Sequence, residues 1–123
     1  MKPRVTVLTT VYNGLPYLSE AIESILNQTY TDFEFLIIDD ASTDGSQECI
    51  NSFTDPRIRV SKNEKNIGQV PSLNKGLQLA RGKYIARLDQ DDVSLPNRLE
   101  EQIGFLEEHL DISIICSWEH SID

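Results

Sequence analysis

The sequence predicts an α/β fold, a mainly parallel sheet with helices on both faces. Three observations carry this expectation. Apolar runs of strand length alternate with segments of helical spacing along the chain, with no internal repeat, low-complexity tract or linker between them. One run, FEFLIID, is apolar nearly throughout, as expected of a strand covered on both sides. The polar clusters TVYNG, DDASTDGS and DQDD each follow an apolar run, which gathers them at the carboxyl edge of a parallel sheet, where such folds bind ligands.

Each element follows from local pattern. Val5 to Thr10 (VTVLTT) reads as the first strand. Leu18, Ala21, Ile22, Ile25 and Leu26 keep helical spacing. Phe33 to Asp39 is the second strand. Ser46 to Phe53 forms a short helix, with Thr43, Asp44 or Ser46 available to cap it. Arg57 to Ser61 (RIRVS) is a weaker third strand. Leu73, Gly76, Leu77 and Ala80 mark a third helix, and Gly82 stands where a C-terminal cap belongs. Tyr84 to Leu88 (YIARL) is the fourth strand. Ser94 and Pro96 open a helix carried by Leu99, Ile103, Leu106 and Leu110. Ile112 to Ser117 (ISIICS) is the fifth strand, which completes βαβαβαβαβ.

With 123 residues the chain can form a single domain around a real hydrophobic core. Its apolar fraction of 39% and charged fraction of 25% are ordinary for a globular protein. Eleven basic against 20 acidic residues give a net charge of −9, without a basic stripe. This weighs against nucleic acid and anionic lipid as partners. An anionic ligand would need a mediating cation. No run reaches transmembrane length. The opening MKPRVTVLTTVYN is too short in its apolar part and too rich in Thr for a signal peptide, so a cytoplasmic location is expected. Cys49 and Cys116 form no CxxC and read as buried free thiols.

The chemistry concentrates in RGKYIARLDQDDVSLP. Asp89, Asp91 and Asp92 place three carboxylates within four residues, which is costly unless a positive group neutralises them. One reading is a hard cation held by oxygen ligands. The other is that Asp91 or Asp92 caps the next helix. A calcium-binding EF-hand loop fails, because Val93 and Ser94 occupy its fifth and sixth positions and Pro96 interrupts it. An incomplete ligand set suits Mg²⁺ or Mn²⁺. Magnesium usually keeps waters and takes further ligands from substrate phosphates, so a diphosphate would accompany it. At Asp39-Asp40 the same cost arises, and the acids can serve the turn ASTDG or a ligand. Asp40 is the better placed to accept from a ligand N–H. Tyr12 offers a face on which a base or sugar can stack, or it packs in the core. GxGxxG and GxxxxGK[ST] are absent, which excludes the common dinucleotide and P-loop sites. His109 and His120 lack metal-ligand spacing and read as surface residues.

In order, the segments VTVLTTVYNG, AIESILNQTYTDFEFLIIDDASTDGS, NEKNIG, LNKGLQLARGKYIARLDQDD and LPNRLEEQIGFLE resemble the nucleotide-binding half of family 2 glycosyltransferases. The resemblance implies the Rossmann-like half of a GT-A fold and transfer of a sugar from a nucleotide-sugar, most often UDP-linked, to an acceptor hydroxyl on a glycan or another molecule. It implies inversion at the anomeric centre and a divalent metal, Mg²⁺ or Mn²⁺. By this resemblance Asp89-Gln90-Asp91 is the DxD motif, whose acids Asp89 and Asp91 hold the metal and the donor's ribose or diphosphate. Asp40 matches the acid that reads the base. Thr10, Tyr12 and Asn13 match the nucleoside loop, and Asn66 and Gly68 the loop passing near the donor. Thr10 stands where the family often has Pro. Ser72-Leu73 precede Asn74 where many members place an Arg, and Lys75 is the nearby cation. Family members continue past this length, so residues 1–123 are expected to be a donor-binding domain from the N-terminal part of a longer transferase, with the catalytic base beyond Asp123.

Two other readings compete. A nucleotide-binding fragment that does not catalyse is compatible with the same residues. A receiver-type signalling domain has a similar length and an acidic Mg²⁺ site. Receivers, however, place an acid pair after the first strand and a Lys after the fifth, where this chain has TVYN and CSWEH.

Overall fold

The computed structural model describes residues 3–90, 93–108 and 114–115. The elements run β1 (Val5–Val11), α1 (Leu18–Leu26), β2 (Phe33–Asp39), α2 (Ser46–Asn51), β3 (Ile58–Lys62), α3 (Gln69–Leu79), β4 (Tyr84–Arg87), α4 (Arg98–Glu108) and β5 (Ile114–Ile115). The strands form one parallel sheet in the order β3-β2-β1-β4-β5. The chain therefore adds strands on one side of β1 and then returns to add them on the other. The carboxyl ends of β1 and β4 lie side by side at that reversal, the edge at which folds of this kind bind ligands.

Helices cover both faces, as the apolar character of β2 requires. All seven residues of β2 are buried. On one face Val5, Val7, Val11, Phe33, Phe35 and Ile37 pack with Leu18, Ile22 and Ile25 of α1, Ile50 of α2, and Leu99 and Ile103 of α4. On the other, Leu8, Leu36 and Ile38 meet Leu73 and Leu79 of α3. Complete burial of each such side chain is worth about 1.5–3 kcal/mol, so these two layers hold the strand ends in register. No described helix is long and apolar enough to cross a membrane.

The amino edge is tied by a buried acid. Glu34 accepts from the Thr6 hydroxyl, from Arg81 N–H (2.7 Å) and from Arg59 Nη1 (2.6 Å). These bonds join β1, β2, β3 and the turn before β4 into one network.

Several expectations need correction. Gly82 is not a helix cap. Ala80 follows α3 in extended conformation (φ −64°, ψ 138°), and Gly82 lies so close to β1 that a Cβ would collide with the backbone of Val5 and Thr6. Helix α3 begins at Gln69, before the first apolar residue of its pattern, with Pro71 inside its first turn. Pro is tolerated there because a first-turn N–H has no intrahelical partner to lose. Helix α2 stops at Asn51, short of Phe53, and Asp44 Oδ1 accepts from Ser46 N–H at its start (3.0 Å). Strand β1 extends one residue further than expected, to Val11, β3 is shifted by one residue, and β4 ends at Arg87. Cys49 is free but only half-buried against the core. Cys116, His109, His120 and Leu110 lie outside the described residues, and of the expected fifth strand only Ile114–Ile115 is described.

Candidate functional site

At the carboxyl edge the ends of β1, β2 and β4 and the start of α3 enclose a cleft of about 270 Å³, lined by Thr10, Val11, Tyr12, Asp40, Gln69, Ser72, Asp89 and Gln90. It lies at the carboxyl edge beside the strand-order reversal, the edge at which folds of this kind bind ligands.

The loop after β1 is held from two sides. Asn13 has φ 51°, a left-handed conformation that Asn tolerates better than most residues. Its N–H donates to Ser42 Oγ (2.9 Å), and its side-chain oxygen accepts from Thr43 N–H (2.8 Å). Gly14 N–H donates to Ser46 Oγ (2.8 Å) and Leu15 N–H to Asp44 Oδ2 (3.2 Å). The DDASTDGS turn thus fastens the β1 loop from the β2 side. From the β4 side, Gln90 pairs with the Tyr12 peptide: Tyr12 N–H donates to Gln90 Oε1 (2.8 Å), and Gln90 Nε2 donates to the Tyr12 carbonyl (3.3 Å). Tyr12 is left 46% exposed at the cleft, so it is not a core residue.

The two adjacent acids divide their roles. Asp39 is fully buried, and its Oδ1 accepts from Ser42 Oγ (2.6 Å), a side-chain bond within the turn where side-chain to backbone bonds are expected. Its Oδ2 is buried without a hydrogen-bond partner. Asp40 lines the cleft while being 3% exposed. Its Oδ1 accepts from Asn63 Nδ2 (2.8 Å) and Ile67 N–H (2.9 Å), and its Oδ2 accepts from Gly68 N–H (2.9 Å). Burial alone would raise its pKa. The donors of Ile67, Asn63, Gly68 and Ser72 outweigh that and hold the carboxyl below the usual aspartate value, so it stays ionised and accepts only. One acid therefore anchors the loop before α3 and also faces the cleft.

Asp89 differs. Its side chain is 53% exposed, and Oδ1 lies 3.4 Å from Arg87 Nη2, itself 38% exposed. Such a solvated pair is weak, which leaves the carboxylate available to a ligand. Asp91 and Asp92 lie outside the described residues. Among the described residues no group of three or more His, Cys, Asp or Glu side chains could hold a metal ion. A lone accessible carboxylate oxygen beside a cleft fits a cation that draws its remaining ligands from water and a bound phosphate.

Of the residues singled out in the sequence, Thr10, Tyr12, Asp40 and Asp89 line the cleft. Asn13 and Gly68 support it through the bonds above, and Asn66 Nδ2 reaches the Asp40 carbonyl only at 3.5 Å. The sequence reading missed Gln69 and Ser72 in the lining and the bracing roles of Gln90 and Asn63. Asn63 directly follows β3, so the carboxyl-edge rule could have found it. Lys75, expected as a spare cation near the donor, gives its ammonium to Asn63 Oδ1 (2.7 Å).

Comparison with known proteins bears on this geometry. The sequence profile described as "Glycosyl transferase family 2" matches residues 6–123. The glycosyltransferase MJ1057 of Methanocaldococcus jannaschii is 46% identical over 126 residues, covering 99% of this chain and 43% of the relative. A crystal structure of S. aureus TarS 1-349 in complex with UDP-GlcNAc superposes with a TM-score of 0.82 at 27% identity, covering 87% of this chain and 32% of that one. The mannosyltransferase PcManGT from Pyrobaculum calidifontis, in complex with GDP-Man and Mn²⁺, gives 0.78 at 27% identity, covering 86% and 33%. The chain thus spans less than half the length of each.

Proposed function

The chain belongs to glycosyl transferase family 2, and we propose that its cleft binds the nucleotide-sugar donor, UDP-linked, of a metal-dependent inverting transferase acting in the cytoplasm. The observation that carries this reading is the convergence of the exposed Tyr12 ring, the ionised Asp40 carboxylate and the accessible Asp89 carboxylate around one cleft at the strand reversal. In this reading the base stacks on Tyr12 and gives an N–H to Asp40. Thr10 and the loop at Asn13 contact the nucleoside, and the separate loop at Asn66 and Gly68 passes near the donor. The diphosphate lies toward Asp89. Asp89 and its sequence neighbour Asp91 would hold Mg²⁺ or Mn²⁺, which when bound offsets charge on the leaving diphosphate. The solved neighbours bound to UDP-GlcNAc and to GDP-Man with Mn²⁺ support a nucleotide-sugar at a cleft of this fold.

The acceptor hydroxyl would attack the anomeric carbon opposite the diphosphate, and its proton needs a base within hydrogen-bond reach. In this reading Asp40 is committed to the nucleobase and Asp89 to the metal and diphosphate, so we assign the catalytic base and the acceptor site to residues beyond Asp123. Calorimetry with UDP tests the donor reading. Binding should tighten at least tenfold with Mn²⁺ over EDTA, and Asp91→Ala should remove most of that gain. Equal affinity with metal and with EDTA would refute the metal's role, and no binding in either would refute the site.

A further inference from the structure

We propose that Asn63 and Lys75 are positioning residues that set nucleobase selection by fixing how the Asp40 carboxylate is presented to the ligand. The proposal deepens the donor-binding reading and rests on it. Asn63 is 9% exposed and stands between two groups with opposite demands. Its Nδ2 donates to Asp40 Oδ1 (2.8 Å) and to Ser72 Oγ (3.0 Å), while its Oδ1 accepts from Lys75 Nζ (2.7 Å). An ammonium only donates and a carboxylate only accepts. A flipped carboxamide would face NH₂ to the ammonium and oxygen to the carboxylate, repelling at both ends. Lys75 and Asp40 therefore hold the amide in one orientation from its two ends, and Lys75 is not itself among the residues lining the cleft.

The consequence falls on Asp40. Two donors, Asn63 Nδ2 and Ile67 N–H, occupy Oδ1, whereas Oδ2 receives Gly68 N–H. Of the roughly four acceptor directions of a carboxylate, three are taken by Asn63, Ile67 and Gly68, and the fourth is served by the Ser72 hydroxyl, which a ligand N–H would displace. The Ser72 hydroxyl accepts from Asn63 and is free to rotate its own proton away when a ligand N–H arrives. A fixed, acceptor-only oxygen favours bases with a ring N–H on the pairing edge, uracil N3–H or guanine N1–H. It disfavours cytosine and adenine, which present a lone pair there. A buried site built around one hydrogen-bonding sense rejects the opposite sense because its polar group is left unpaired.

The test is calorimetry of this chain with UDP and CDP at one fixed Mn²⁺ concentration. Lys75→Met should lower the UDP-over-CDP preference about three- to tenfold, the effect of losing part of one charge-assisted hydrogen bond, with the loss falling on UDP. Lys75→Arg should restore the preference to within about twofold, since a guanidinium also only donates. Asn63→Ala should lower the preference at least as much as Lys75→Met. Where Asn63→Ala does not fold, Lys75→Met carries the test, because Lys75 is only half-buried. Residues that merely stabilised the fold would weaken UDP and CDP alike, and that result overturns the proposal. If wild type prefers UDP and Asp40→Ala abolishes the preference while Lys75→Met retains it, the relay is wrong and the donor reading stands. A wild-type chain without preference overturns both.

Discussion

Replacing Asp40 by Asn changes one oxygen for an NH₂ and little else in shape, and the structure dictates which oxygen. Oδ1 receives two protein donors and Oδ2 one. The amide will keep its carbonyl at Oδ1 and turn its NH₂ toward Gly68 N–H and the cleft. One charge-assisted bond, to Gly68, is lost, and those to Asn63 and Ile67 become ordinary ones. Hydrogen bonds to charged groups contribute about 1.5–3 kcal/mol and neutral ones about 1 kcal/mol, so losing one and weakening two should cost the fold about 2.5–7 kcal/mol. The ligand effect is of the same kind. A uracil N3–H would meet a donor instead of an acceptor, at a cost of about 1.5–3 kcal/mol, or about ten- to a hundredfold in affinity for UDP. Cytosine N3 accepts, so CDP should bind the variant as well as or better than it binds wild type. The assay is titration of both nucleotides at fixed Mn²⁺, alongside urea unfolding to separate folding from binding. An Asp40→Asn chain that is folded and keeps the wild-type affinity and order, UDP over CDP, would refute the assignment of Asp40 as the base reader.

Other outcomes follow from the same geometry. At Glu34 burial acts to raise the pKa, but the Thr6 hydroxyl, the Arg81 N–H and Arg59 together hold it below the usual glutamate value. The stability it contributes is therefore present at neutral pH and lost as pH falls through that lowered pKa. Glu34→Gln should cost about 1.5–3 kcal/mol at pH 7, the loss of charge-assisted bonds whose arginine partners stay partly solvated, and the gap in urea midpoint should close in acid; a pH-independent gap would contradict this. Gly82→Ala should destabilise by about 3 kcal/mol, the upper range of overpacking because β1 backbone cannot yield. Gly104→Ala in α4, where a Cβ meets nothing within 4 Å, should stabilise by about 0.5–1 kcal/mol; thermal melts of the two read the contrast directly. Assayed with a panel of UDP-sugars and generic sugar acceptors, the 123-residue chain should release UDP far more slowly than a relative of full length. Comparable turnover would place the base within the chain, with Glu119 the first candidate.

Much of this fold was legible because its signals are local. Strand β2 was read to its ends since an unbroken apolar run reports burial on both faces without knowledge of the neighbours. Helix α3 was read short because its first turn serves the cleft. Gln69 and Ser72 line it, so the apolar pattern that marks a helix begins only at Leu73. Gly82 was misread since a capping glycine and a glycine pressed against another strand look the same along the chain, and only the path of β1 tells them apart. The acids at the cleft were visible as unexplained charge at strand ends. Their partners were not. Asn63 reaches Asp40 across 23 residues and Lys75 reaches Asn63 across 12, and no spacing rule couples such distances. Gln90 was seen as the middle of DQDD, but its bond to the Tyr12 peptide spans 78 residues and exists only because β1 and β4 are neighbours.

The most direct measurement is a crystal structure of this chain with UDP and Mn²⁺. The account predicts uracil stacked on Tyr12, with N3 within hydrogen-bond distance of an Asp40 carboxylate oxygen, and the metal between the diphosphate and Asp89. A nucleotide bound away from the cleft, or one seated there with its base turned from Asp40 and its phosphates from Asp89, would contradict it.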